Sequence, residues 1–131
     1  MSDYILFVDD DDPDAHGIVH NALDQAGLKS QKATSGQLAL QQIRENPPRA
    51  IVLDLMMPSM NGFSTLTRLQ RDRVAHNIPI ILLSNTPDQS RHMAYLPGVI
   101  GVLPKGRFSI QEFIRLLTGA GIWNGRGLPG S

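Results

Sequence analysis

Five mostly apolar residues, Tyr4-Ile5-Leu6-Phe7-Val8, run without a break and stop at four consecutive carboxylates, Asp9-Asp10-Asp11-Asp12. No other feature constrains the chain as much. An unbroken apolar run of this length is expected of a strand covered on both faces. Four carboxylates cannot sit together ionised in a core, because nothing there offsets their desolvation and repulsion. They are therefore solvated, or they bind a cation. A second apolar run, Ala50-Ile51-Val52-Leu53, stops in the same way at Asp54. A parallel sheet that gathers its strand ends at one edge brings the two acidic termini together. That is the setting for a hard divalent cation beside a reactive carboxylate.

The rest of the chain alternates short apolar runs with amphipathic segments. Strands are expected at 4–8, 28–33, 50–53, 79–83 and 99–103. Segment 28–33 is polar and fits an edge strand. Asp12-Pro13 offers a helix N-cap with Pro in the first turn, and Gly27 offers the stop. Between them Ile18, Val19, Ala22, Leu23 and Ala26 form an apolar stripe. Ser35 caps a second helix that ends before Pro47-Pro48. Phe63, Leu66 and Leu69 mark the buried stripe of a third, opening near Gly62. Thr86-Pro87 opens a short fourth, and Ile110, Phe113, Ile114 and Leu117 have the spacing of a fifth. Five βα units imply a parallel sheet with right-handed crossovers and helices on both faces.

The length of 131 residues suits one domain. With 41% hydrophobic and 18% charged residues, the chain is neither disordered nor membrane-like. No apolar run is long enough to span a bilayer, so no membrane partner is expected. Cysteine is absent, which removes disulfides and thiolate chemistry and is compatible with a cytoplasmic location. The net charge of zero gives no reason to expect direct nucleic-acid binding. The domain is expected to occupy residues 1–118, with 119–131 as a Gly-rich tail or linker.

Four of the five expected strand ends carry reactive or polar groups: Asp9-Asp10, Asp54, Ser84-Asn85 and Lys105. Ligands of open α/β sheets bind at this edge. Clustered carboxylates suit Mg²⁺, which also takes phosphate oxygens. A hydroxyl and an ammonium can hold the other oxygens of a phosphoryl group, and a carboxylate such as Asp54 can attack phosphorus to give an acyl phosphate. Asp11, Asp12 and Asp14 read better as solvated or helix-capping residues than as ligands. His16, His20, His76 and His92 are scattered and read as surface residues. The run Met56-Met57-Pro58-Ser59-Met60 reads as loop packing.

The motifs Val8-Asp9-Asp10, Asp54-Leu55-Met56-Met57-Pro58-Ser59-Met60-Asn61-Gly62, Ile80-Ile81-Leu82-Leu83-Ser84 and Leu103-Pro104-Lys105, in this order and at these separations, carry a resemblance. From residue 4 to about 118 the chain resembles the receiver domain of two-component response regulators, the CheY-like family. The resemblance implies a flavodoxin-like (βα)5 three-layer sandwich, with a five-stranded parallel sheet in the order 2-1-3-4-5. It implies a signalling switch, not an enzyme acting on a separate substrate: a phosphoacceptor that assists its own phosphotransfer and autodephosphorylation. Asp54 would be the phosphoacceptor. Mg²⁺ (or Mn²⁺) would be held by Asp9, Asp10, Asp54 and the Met56 carbonyl, with Asp9 acting largely through a metal-bound water. Ser84 and Lys105 would contact phosphoryl oxygens, and Lys105 would serve signalling rather than folding. The phosphoryl donor would be a sensor histidine kinase, a phosphotransfer protein or a small acyl phosphate. The output would be a separate protein or a fused domain.

Three positions depart from the family pattern. Asn85 stands where a small residue is common. Gly106 follows Lys105 where a Pro is common, and a trans Lys105–Gly106 bond is expected because a non-proline cis bond is costly. Val102 replaces the usual aromatic of the switch. Two other functions compete. An aspartyl-phosphate phosphohydrolase would carry a second Asp two residues after the nucleophile, where this chain has Met56. A pseudo-receiver, binding protein partners without phosphorylation, is kept in view by Asn85, Val102 and Gly106.

Overall fold

In the computed structural model, residues 4–9, 17–25, 27–57, 60–105 and 108–122 are described. The expected strand segments form parallel strands: β1 (Tyr4–Val8), the polar β2 (Lys29–Ala33), β3 (Ala50–Asp54), β4 (Ile80–Ser84) and β5 (Val99–Pro104). Their spatial order is β2-β1-β3-β4-β5, the order the family resemblance implies. Every residue of β1, β3 and β4 is buried, which is why these runs do not alternate. Along β1, Tyr4, Leu6 and Val8 enter one apolar cluster and Ile5 and Phe7 the other. The strand thus feeds two cores, one on each face, as the period-two geometry of a strand demands. The polar β2 lies at the edge of the sheet and alternates exposed with more covered positions.

Among the described residues five α-helices connect and cover the sheet: α1 (Gly17–Gln25), α2 (Gly36–Glu45), α3 (Gly62–Arg71), α4 (Pro87–Ser90) and α5 (Ile110–Gly119). The Asp12-Pro13 cap, Ala26 and the side chains of Ile18, Val19 and Ala22 lie outside the described residues; Leu23 is fully buried. After α1, Gly27 turns the chain at φ +84, a conformation glycine adopts without penalty. Ser35 caps α2 by accepting from the Leu38 N–H at 3.1 Å, and Ser109 caps α5 by accepting from the Glu112 N–H at 3.1 Å. Helix α4 holds only four residues and passes into a 3-10 segment, Arg91–Tyr95, so it breaks well before Pro97-Gly98. No helix among the described residues is long and apolar enough to cross a membrane.

Two sequence expectations need correction. Phe63 does not share the buried stripe of α3: it is half exposed, while Leu66 and Leu69 are buried. His20 is not a free surface residue. It lies 4.6 Å from the Phe7 ring, and its Nδ1 is hydrogen-bonded to Ser30 Oγ on β2. Met56–Met57 pairs antiparallel with Met60–Asn61 in a two-residue ladder.

Past α5 the backbone turns at Gly121 (φ +73), and the Ile122 N–H donates to the Leu117 carbonyl at 3.0 Å. Ile122 packs against the cluster of Phe113 and Leu117. Arg49, which leads into β3, donates from Nη1 to the Ile122 carbonyl at 3.1 Å.

Asp72 closes the turn after α3. One carboxylate oxygen accepts from Arg44 Nη2 of α2 at 2.6 Å, and the other accepts from the N–H groups of Val74 and Ala75, each at 3.0 Å. Burial alone would push this carboxyl up. The Ala75 N–H, the Arg44 guanidinium and the Val74 N–H outweigh it and hold the group below the usual carboxylate range. A carboxyl depressed in the folded state stabilises above its unfolded pKa, and that contribution is lost as pH falls toward its folded value. Asp72→Asn is expected to cost about 1–2 kcal/mol near neutral pH. The gap to wild type should close on acidification through and below the ordinary carboxylate range. Thermal melts of both proteins across pH check this; a gap that stays constant would mean that the charge is not the source.

Candidate functional site

The carboxyl edge of the sheet is built by letting the ladder run one residue past three strands. The Asp9 N–H donates to the Ala33 carbonyl at 3.1 Å, the Leu55 N–H to the Leu83 carbonyl at 3.0 Å, and the Lys105 N–H to the Ser84 carbonyl at 2.9 Å. These bonds fix the backbone on which the site residues stand. Asp9 is 1% exposed and Asp54 is fully buried. Val8 pairs with Leu53, so the two carboxylates follow a paired position on neighbouring strands.

Lys105 reaches across from the end of β5, and its Nζ lies 2.7 Å from Asp54 Oδ2. Its side chain is 25% exposed, against 0% for the aspartate, so the ammonium forms the wetter side of the pair. Of the residues singled out from sequence, Asp54 and Lys105 are therefore in direct contact, and Asp9 closes the same edge. Asp10 and Gly106 lie outside the described residues. The backbone of Met56 is paired with Asn61, directly after the Asp54-Leu55 turn. Asn85 is exposed, while Val102 is partly buried against the cluster that contains Leu82 and Met93.

Ser84 is fully buried, and its hydroxyl is engaged on the α4 side. Its Oγ accepts from the Thr86 N–H at 3.0 Å and lies 3.0 Å from Ser90 Oγ and 3.4 Å from Thr86 Oγ1. Thr86 stands at the N-cap of α4, where the Thr-Pro sequence is expected to open the helix, without a side-chain capping bond.

Sequence reasoning missed Ser90, which looks like one more polar residue on a short helix. Its signal is positional: six residues past Ser84, it is brought back over the strand end by a single helical turn. The physical reason for Gly62 was missed as well. A Cβ there would lie 2.6 Å from Leu55 Cα, 2.8 Å from the Asp54 carbonyl oxygen and 2.9 Å from the Leu55 carbonyl oxygen. Helix α3 therefore begins directly against the backbone that carries Asp54.

The donor set fits a hard divalent cation. Asp9 and Asp54 are two carboxylates with almost no access to bulk water, and Lys105 supplies one positive charge at their edge. Oxygen donors of this kind suit Mg²⁺. Among the described residues no group of three His, Asp or Glu side chains is close enough to hold a metal, so two side chains of the described set would need further oxygens.

Comparison with known proteins agrees with this fold. The family model for the response regulator receiver domain matches residues 5–117. The DNA-binding dual master transcriptional regulator RpaA of Synechocystis sp. is 34% identical over 110 residues, covering 83% of this chain and 45% of the regulator. This chain spans less than half the length of the curated relatives it matches. Among solved structures, a putative response regulator from Chloroflexus aurantiacus superposes with a TM-score of 0.76 at 28% identity, covering 91% of this chain and 97% of that one. The receiver domain of a sensor histidine kinase from Pseudomonas aeruginosa PAO1, solved with a magnesium ion coordinated in its active-site cleft, gives a TM-score of 0.74 at 24% identity, covering 92% and 99%.

Proposed function

The chain belongs to the response regulator receiver domain family of two-component systems, and from that premise we propose that it is a phosphorylation-dependent switch with Asp54 as its phosphoacceptor. The observation that carries the reading is the fully buried Asp54 carboxylate at the end of β3, with Lys105 Nζ 2.7 Å away. A carboxylate oxygen of Asp54 attacks the phosphorus of a phosphohistidine on a partner kinase or phosphotransfer protein. An O–P bond forms while the P–N bond breaks, and the electron pair leaves on the imidazole, which takes up a proton. Lys105 would offset the charge on the phosphoryl oxygens, and Ser84, once turned from its α4-side partners, would donate one hydrogen bond to them.

Mg²⁺ would be held by Asp9, Asp10, Asp54 and the Met56 carbonyl. Once bound, it supplies charge that neutralises the phosphoryl oxygens. The family's place in two-component signalling supports a cytoplasmic setting and an output through a separate protein or a fused domain. A phosphohydrolase is less well supported, because Met56 occupies the position of the expected second acid.

The test is intact mass after incubation with acetyl phosphate and Mg²⁺. One added phosphoryl group is expected on the wild type and none on Asp54→Ala. An unmodified wild type would reject the reading and favour a pseudo-receiver; equal modification of the variant would reject Asp54 as the acceptor and put the phosphoryl group on another residue.

A further inference from the structure

The Ser84 hydroxyl has one proton and two lone pairs. One lone pair takes the Thr86 N–H at 3.0 Å, and Ser90 Oγ sits at 3.0 Å. Both partners lie on the α4 side of β4, and Ser84 and Ser90 are buried, at 0% and 8% exposure. A phosphoryl oxygen can only accept. Whichever serine donates, the contact holds the Ser84 Oγ on the α4 side, and the Oγ must turn from Ser90 toward Asp54 on β3 before it can donate to a phosphoryl group there. The bond to Ser90 opposes that turn.

We propose that Ser90 is a positioning residue, whose hydrogen bond holds the Ser84 hydroxyl on the α4 side and so sets how readily Asp54 accepts and keeps a phosphoryl group. The inference rests on the phosphoacceptor reading and deepens it. It also gives the signal a route. Releasing Ser84 releases Ser90, and Ser90 ends a helix of only four residues that continues as the 3-10 segment Arg91–Tyr95. Phosphorylation at β3 is thereby coupled to the region after β4 without an aromatic residue at position 102.

Beryllofluoride, a tetrahedral mimic of the phosphoryl group, is the probe. It is titrated calorimetrically with Mg²⁺ into wild type, Ser90→Ala, Ser90→Thr, Ser84→Ala and the double variant Ser84→Ala/Ser90→Ala. Breaking one neutral hydrogen bond of the unliganded state is expected to tighten binding to Ser90→Ala about fivefold, equivalent to about 1 kcal/mol. Ser90→Thr keeps the hydroxyl and should bind much as wild type does. In the Ser84→Ala background the Ser90 substitution should change nothing, whereas a purely structural role would shift both backgrounds alike. Unchanged or weaker binding to Ser90→Ala, or the same gain without Ser84, would overturn the proposal and leave the phosphoacceptor reading standing. A wild type that binds no beryllofluoride would overturn both.

Discussion

Gly62→Ala is expected to lower folding stability by roughly 3 kcal/mol, the upper end of what overpacking costs. The added methyl would meet Leu55 Cα at 2.6 Å and two carbonyl oxygens at 2.8 and 2.9 Å. All three are backbone atoms, so no side chain can rotate aside. Either α3 moves outward, separating Leu66 and Leu69 from the core, or the Asp54-Leu55 turn shifts. The second movement carries the phosphoacceptor with it, so phosphorylation by acetyl phosphate should slow alongside the loss of stability. Urea unfolding with an unchanged slope and a lower midpoint is the expected signature. A midpoint close to wild type would show that α3 gives way freely at this contact.

Lys105→Ala is expected to destabilise the metal-free protein by about 2 kcal/mol. Removing one partner of a buried pair typically costs about 3–5 kcal/mol, and the partial exposure of Lys105 reduces that figure. The sequence suggests a role in signalling alone. The contact with a fully buried aspartate adds a share in stability, because Asp54 has little water to fall back on. Two comparisons separate charge from packing. Adding Asp54→Ala to Lys105→Ala should recover most of the loss, and Mg²⁺ should protect the single variant more than it protects wild type. Equal unfolding midpoints for wild type and Lys105→Ala without metal would show that the pair contributes nothing to folding.

Much of this architecture can be read from residue order. The unbroken runs of β1, β3 and β4 announce strands covered on both faces, and Ser35 and Gly27 mark element ends by local chemistry. Asp54 and Lys105 are legible because each ends an apolar run, and a parallel sheet collects such ends at one edge. What escaped depends on three-dimensional neighbours. Phe63 has the spacing of a buried residue, yet it sits at the exposed start of α3, where the helix meets the Asp54-Leu55 backbone with a glycine instead. His20 looks like a solvated side chain until the neighbouring β2 supplies Ser30 and β1 supplies the face of Phe7. Ser90 acquires meaning only because α4 stops after one turn, a length that its own sequence does not specify.

The grip of Arg49 on Ile122 bears on how the unit can be spliced into chimeric sensors. A chain severed after Thr118 would lose Ile122 from the Phe113 and Leu117 cluster and leave the Arg49 guanidinium without this carbonyl acceptor. Severed after Ile122, it keeps both. A fusion joined at the earlier point would loosen the residue that leads into β3, the strand that carries Asp54. Such a chimera would confuse a damaged receiver with a poor linker, and the junction is better placed beyond the Gly121 turn.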